Sequence, residues 1–249
     1  MSYTLKKAIY WQLILSIIAL LILSNTVSVG ADSPKDLFKE YKGVIALDPG
    51  HGGNNQGAHG PEGALEKEVC LALANRITTL LEPAYRVVLT RSDDYDVPLM
   101  DRTAVADYRK ADILISLHTG ASFMQATTGF AVYSYKPIVE QKSNENKAFT
   151  PIDATPWHQI QERHITESRK LATTVQKTLQ MAYDPPQISL LQAPLVILEG
   201  ANMPAILIEM DYLTNPAGEK RLTSPETQTL IAQAIVNGIT SYLAASRDR

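Results

Sequence analysis

Four residues of this chain have side chains suited to hydrolytic chemistry: His51, Glu66, His118 and Glu209. Three of them lie at or just beyond the end of a short apolar run. Val44-Ile45-Ala46-Leu47 precedes Asp48-Pro49-Gly50-His51, Ile113-Leu114-Ile115-Ser116-Leu117 precedes His118, and Ala205-Ile206-Leu207-Ile208 precedes Glu209. Runs of this length, rich in branched residues, read as buried strands of a parallel sheet. Open α/β sheets place their ligands beyond the carboxyl ends of such strands. Two imidazoles and a carboxylate gathered there can hold zinc, with one position left open for water. A second carboxylate nearby would then act as the base.

Glu66 has competitors in Glu62 and Glu68. From Leu65 to Leu81, apolar residues recur at 65, 69, 73, 77, 80 and 81, which is helical spacing. At roughly 100° per residue, Glu66 shares a stripe with Leu73 and Ile77, whereas Glu68 falls with Asn75 and Thr79. A carboxylate in the first turn of the core-facing stripe is costly to bury unless a cation or donors compensate it. Taken alone, the same residue could simply sit at the helix N-terminus and favour its dipole.

The elements that must position these residues follow along the chain. The 249 residues suit one domain plus an N-terminal extension, and a net charge of −3 offers no basic field for nucleic acid. Lys6 and Lys7, an apolar stretch from Ala8 to about Leu23, and Val29-Gly30-Ala31 form a targeting segment, residues 1–31. Cleavage after Ala31 is expected, the alternative being an uncleaved membrane anchor. Residues 32–42 are a charged lead-in to a strand at 43–48. A glycine-rich loop runs from Pro49 to Gly63; it lacks the lysine-serine ending of a phosphate-binding loop. A helix is expected at 65–82, a strand at 85–90, a helix at 99–109 and strands at 112–117 and 129–135. Residues 136–163 are polar and proline-containing, an insertion over the surface. A helix from about Ile165 to Met181, a proline turn at 184–186, strands at 194–198 and 204–209, and a closing helix from Pro225 to about Leu243 capped by Ser224 complete the chain. Cys70 is the only cysteine, so no internal disulfide forms, and its place in the first helical pattern makes it a small core residue.

The combined motifs are similar to those of the zinc-dependent N-acetylmuramoyl-L-alanine amidases. Val44-Ile45-Ala46-Leu47-Asp48-Pro49-Gly50-His51-Gly52-Gly53 with Gly63-Ala64-Leu65-Glu66-Lys67 resembles their opening. Leu89-Thr90-Arg91, Leu99-Met100-Asp101-Arg102, Ser116-Leu117-His118, Gly129-Phe130 and Pro204 to Glu209 followed by Leu213-Thr214-Asn215-Pro216 appear in the order of that family. The resemblance covers residues 43–245 and implies a single α/β domain with a mixed, mostly parallel six-stranded sheet flanked by helices. It implies hydrolysis of the amide joining N-acetylmuramic acid to L-alanine in peptidoglycan, with His51, Glu66 and His118 as zinc ligands and Glu209 as the catalytic glutamate. The N-terminal signal implies export to the periplasm or cell envelope. A monomer is expected, and the identity of any protein activator is left open.

Two rivals share these residues: a zinc peptidase cutting within the stem peptide, and a non-catalytic peptidoglycan-binding or activator protein. Two departures from the family stand out. Glu199 lies where a basic residue is common, and Asp211 lies where many members have glycine. His59, in the glycine-rich loop, is a candidate substrate contact. His158 and His164 read as surface or helix-start residues, Trp157 as a sugar platform or an anchor of the insertion, and Asp48 and Arg102 as loop holders. The prolines at 137, 151 and 156 break the insertion, so it is expected to leave the groove open rather than plug it.

Overall fold

The apolar runs form adjacent strands of one sheet. The computed structural model describes residues 40–138, 155–182 and 188–247. The targeting segment, most of the lead-in, residues 139–154 of the insertion and the proline turn lie outside the described residues. Residues Tyr41–Arg249 fall in one compact unit.

The strands are β1 (Val44–Pro49), β2 (Arg86–Leu89), β3 (Ile113–Gly120), β4 (Phe130–Tyr135), β5 (Ile188–Ala193) and β6 (Ala205–Tyr212). Their order is β2-β1-β3-β6-β4-β5. All pairs are parallel except β4 with β6. The central strands β1, β3 and β6 are buried on both faces, which is why each reads as an unbroken apolar run. The long helices α1 (Glu66–Leu81), α3 (Ile165–Ala182) and α6 (Pro225–Arg247) cover one face. There Leu73, Ile77, Leu171, Val175, Ile231 and Ile235 pack on Ile45, Ile115, Ile206 and Ile208. The other face is covered by shorter elements, α2 (Leu99–Tyr108) and α4 (Val196–Glu199), around Ala46, Leu114 and Leu207.

Parallel pairing holds β1, β3 and β6 in register, with their carboxyl ends side by side. Asp48 pairs with Ser116, and His118 pairs with Glu209. His118 therefore lies within β3, not just beyond a strand ending at 117, and Glu209 lies within β6, which continues past 209 to Tyr212.

The strand expected at 194–198 is not formed. The edge strand is Ile188–Ala193, and Val196–Glu199 makes a single helical turn. Pro194 lacks a ladder donor, and a short apolar run does not by itself distinguish strand from buried helix. Part of the polar segment also has structure: Trp157–His164 is a 3-10 helix leading directly into α3. Asn215 begins a further helix, α5 (Pro216–Thr223), by accepting from Gly218 N at 2.8 Å. Ser224 caps α6 as expected, its hydroxyl accepting from Thr227 N at 3.3 Å.

Candidate active site

The chain leaves β1 at Pro49, and His51 adopts φ 60, a left-handed conformation that non-glycine residues seldom take. Its neighbours hold it there. Arg91 donates from Nε to Pro49 O at 3.0 Å and from Nη2 to Gly50 O at 2.8 Å and Lys67 O at 2.7 Å. Arg102 donates to Pro49 O and His51 O, each at 2.9 Å, and to Asp48 Oδ1 at 2.8 Å. Asp48 is fully buried and also accepts from Thr90 Oγ1 at 2.6 Å and Ser116 Oγ at 2.7 Å. A buried ion pair is costly unless its remaining sites are satisfied; here both carboxylate oxygens have partners. Asp48 and Arg102 are thus the loop holders expected, and Arg91 is a third.

Glu66 reaches the same place from the first turn of α1. It is only 3% exposed, whereas Glu68 is exposed, so the helical register places the carboxylate as the spacing indicated. Its Oε2 lies 3.1 Å from His51 Nε2 and accepts from Ala58 N at 2.7 Å. Its Oε1 lies 3.1 Å from His118 Nδ1 and accepts from Thr119 N at 2.9 Å. The imidazoles meet edge to face with centroids 5.0 Å apart. The loop backbone closes in from the side. A Cβ on Gly50 would lie 2.4 Å from the His118 ring, and one on Gly57, at φ 70, would lie 2.6 Å from Glu66 Oε2 and from His51.

The donor atoms of His51, Glu66 and His118 all lie within 4.8 Å of one another, the one such group of three or more among the described residues. Tetrahedral zinc ligands at the usual bond lengths stand about 3.3 Å apart. The two 3.1 Å separations to Glu66 fit that spacing. His51 Nδ1 lies 2.8 Å from Asn55 Oδ1, which sets the proton on Nδ1 and leaves Nε2 to face the centre. The donor set and its geometry suit a divalent metal ion.

The charges agree with this. Burial alone would raise the Glu66 carboxyl, but the bonds from His118, His51 and Ala58 outweigh it and hold the group far below its ordinary range. Burial would lower the His51 imidazolium, but Glu66 and Asn55 raise it above its ordinary value.

Glu209 stands beside this group rather than in it. It is half-buried, opposite His118 in the sheet, and its Oε2 accepts from the Tyr133 hydroxyl at 3.3 Å. Burial pushes its carboxyl above the ordinary value, and Tyr133 and His118 offset part of that rise. A carboxylate of raised proton affinity next to a metal site is suited to accept and return a proton.

The remaining candidates are elsewhere. His59 is exposed on the glycine-rich loop, which pairs back on itself through His59 and Leu65. His158 and His164 belong to the 3-10 helix, with His164 Nε2 3.2 Å from Asn202 Oδ1. Trp157 packs on Gly200, where a Cβ would lie 1.9 Å from its indole nitrogen, so it anchors its segment to the domain.

Some contributors had no clear sequence signal. Glu219, 3% exposed on α5, accepts from Glu62 N at 2.7 Å and Ala64 N at 2.8 Å and so ties down the glycine-rich loop. Lys67 donates to Gly53 O and Asp94 Oδ2 and pins the other end. Asp211 sits at φ 38, a position where glycine is unstrained, and its carboxylate takes the Arg221 guanidinium and the amide of Tyr212. That explains how an aspartate is tolerated there.

A family model described as N-acetylmuramoyl-L-alanine amidase matches residues 45–241. N-acetylmuramoyl-L-alanine amidase AmiC of Neisseria meningitidis is 33% identical over 221 residues, 82% of this chain and 53% of its own. The chain therefore spans about half the length of that relative. N-acetylmuramoyl-L-alanine amidase AmiA of Escherichia coli is 30% identical over 234 residues, 86% of this chain and 81% of its own. Among solved structures, N-acetylmuramoyl-L-alanine amidase AmiC2 of Nostoc punctiforme superposes with a TM-score of 0.68 at 29% identity. It covers 83% of this chain and 99% of that one.

Proposed function

Because the chain belongs to the N-acetylmuramoyl-L-alanine amidase family, we propose that it hydrolyses the amide between the lactyl group of N-acetylmuramic acid and L-alanine of the peptidoglycan stem peptide, with zinc as its metal. The observation that carries the proposal is the convergence of His51, Glu66 and His118 with Glu209 beside them in strand register.

His51, Glu66 and His118 would hold the ion. Zinc, when bound there, polarises the scissile carbonyl and acidifies a water molecule. Glu209 takes the proton from the attacking water and passes it to the departing L-alanine amine. Asn55 keeps the His51 ring in its liganding tautomer, and Arg91 and Arg102 keep the His51 backbone in place. His59, on the exposed side of the loop, is our candidate for contact with the glycan or peptide.

The catalytic domain is residues 43–245, acting as a monomer on peptidoglycan. The positively charged, apolar and small-residue order of residues 1–31 supports export to the cell envelope, where that substrate lies. Among the described residues no helix is long and apolar enough to cross a membrane.

The test is turnover of purified peptidoglycan by the protein stripped of metal and then reloaded with zinc. Release of stem peptides with a free L-alanine amine, restored by zinc, is the expected result. Cuts between stem-peptide residues would identify a peptidase instead, and zinc binding without any release would identify a binding protein.

A further inference from the structure

Strand β4 runs antiparallel to β6, with Ala131 opposite Glu209 and Tyr133 opposite Leu207. Side chains two residues apart share a face of the sheet, so Tyr133 and Glu209 are diagonal neighbours on one face, within reach of a long aromatic side chain. The Tyr133 hydroxyl donates to Glu209 Oε2 at 3.3 Å. It is the one hydrogen bond to the Glu209 side chain among the described residues. The terminal torsion of a glutamate is broad, so a carboxylate without such a bond rotates freely.

We propose that Tyr133 is a positioning residue for the hydrolysis: its hydroxyl occupies Oε2 of Glu209 and so presents Oε1, in one orientation, for proton exchange with water and the leaving amine. The proposal rests on Glu209 being the base of the amidase reaction. No bond to Tyr133 forms or breaks. The proton leaves the water, rests on Oε1 and goes to the amine, while the phenol keeps its own.

Three features favour this role over a packing role. The phenol is partly exposed on the site side of the sheet instead of closed in the core. Burial and the Glu209 charge push its pKa up to about 12, so it remains a donor while Glu209 cycles. Its bond is long in the free protein, and bonds of this kind tighten when charge moves in the reacting complex. Tyr135, on the same face two residues on, serves as an internal comparison: its hydroxyl donates to His158 O, away from Glu209.

The experiment measures kcat and KM on a soluble muramyl peptide for Tyr133→Phe, Tyr135→Phe, Glu209→Gln and the double variant Tyr133→Phe/Glu209→Gln, each zinc-loaded, with zinc content and Tm recorded. For Tyr133→Phe, kcat should fall about tenfold with KM little changed, the loss expected for one hydrogen bond used mainly in the transition state. Zinc content and Tm should stay near wild type. Tyr135→Phe should keep wild-type kcat. In the Glu209→Gln background, Tyr133→Phe should cost little further, because residues acting as a unit are not additive. Wild-type kcat in Tyr133→Phe, or the same fold-loss in both backgrounds, overturns the proposal. If Glu209→Gln itself turns over at the wild-type rate, the assignment of the base fails and the proposal with it. If Glu209→Gln is inactive and Tyr133→Phe keeps the wild-type kcat, only the proposal fails.

Discussion

Glu66 poses the sharpest energetic problem at the scale of single residues. A carboxylate that is 3% exposed must be compensated, and here two imidazoles and the amides of Ala58 and Thr119 do so. A metal ion would take over the role the imidazole protons play in the free protein. Replacing His118 with Ala should therefore abolish bound zinc while a folded domain remains. Glu68→Ala should leave zinc in place, since Glu68 points to solvent. Metal analysis of the two purified variants checks this pair. Zinc needs a neutral His51, and the His51 pKa is raised above 6.5 by Glu66 and Asn55 against the effect of burial. Protons should therefore compete with zinc as pH falls through that raised value, and affinity should weaken on the acid side. A competition titration at stepped pH would show it, and a pH-independent affinity across the neutral range would contradict it. Glu209 has the opposite character. Burial disfavours its charge, so its raised pKa makes the ionised form a cost to the folded state. Glu209→Gln should keep or raise Tm, retain zinc, and lower activity on the order of 100-fold or more. A melting curve and a rate on the same sample test both halves.

At the scale of elements, the site depends on loops that are held by buried charges. Arg91 is 1% exposed and serves the carbonyls of Pro49, Gly50, Lys67 and Asp93. Glu219 does the same for the amides of Glu62 and Ala64. Glu219→Ala should cost about 1–3 kcal/mol, because two part-buried backbone donors lose a charged acceptor. Hydrogen exchange at those two amides should quicken more than in α1 or α6. Uniform exchange across the protein would mean the clamp is not local.

These elements also show what the sequence made legible. The strands β1, β3 and β6 were readable because burial on both faces writes an unbroken apolar run. The first-turn position of Glu66 was readable because the two residues of spacing to Glu68 turn the helix by about 200°, which puts the two carboxylates on opposite faces. Residues 194–198 misled because a five-residue apolar run fits either a strand or a helical turn, and the true edge strand, with Leu190 and Leu191 partly exposed, lacks alternation. Glu219 and Tyr133 could not be found from spacing. Their partners lie 155 and 76 residues away in the chain, and only the folded chain brings them together.

The whole molecule divides its labour between the two sheet faces. One carries the long helices and most of the apolar core, and the other is covered by short elements, with Tyr133, His118 and Glu209 directed to that side. Activity should therefore be lost by small changes on the second face that leave Tm nearly unchanged. The expectation that residues 136–163 leave the groove open falls mainly outside the described residues, although Trp157 on Gly200 marks where that segment rejoins the domain. The central claim is that this geometry cuts one particular amide. Its most direct test is to digest purified peptidoglycan with the zinc-loaded protein and identify the released fragments by mass. The account predicts intact stem peptides beginning with L-alanine and glycan strands with free lactyl carboxyl groups, and neither product from Glu209→Gln. Fragments cut within the stem peptide, or undiminished release by Glu209→Gln, would contradict it.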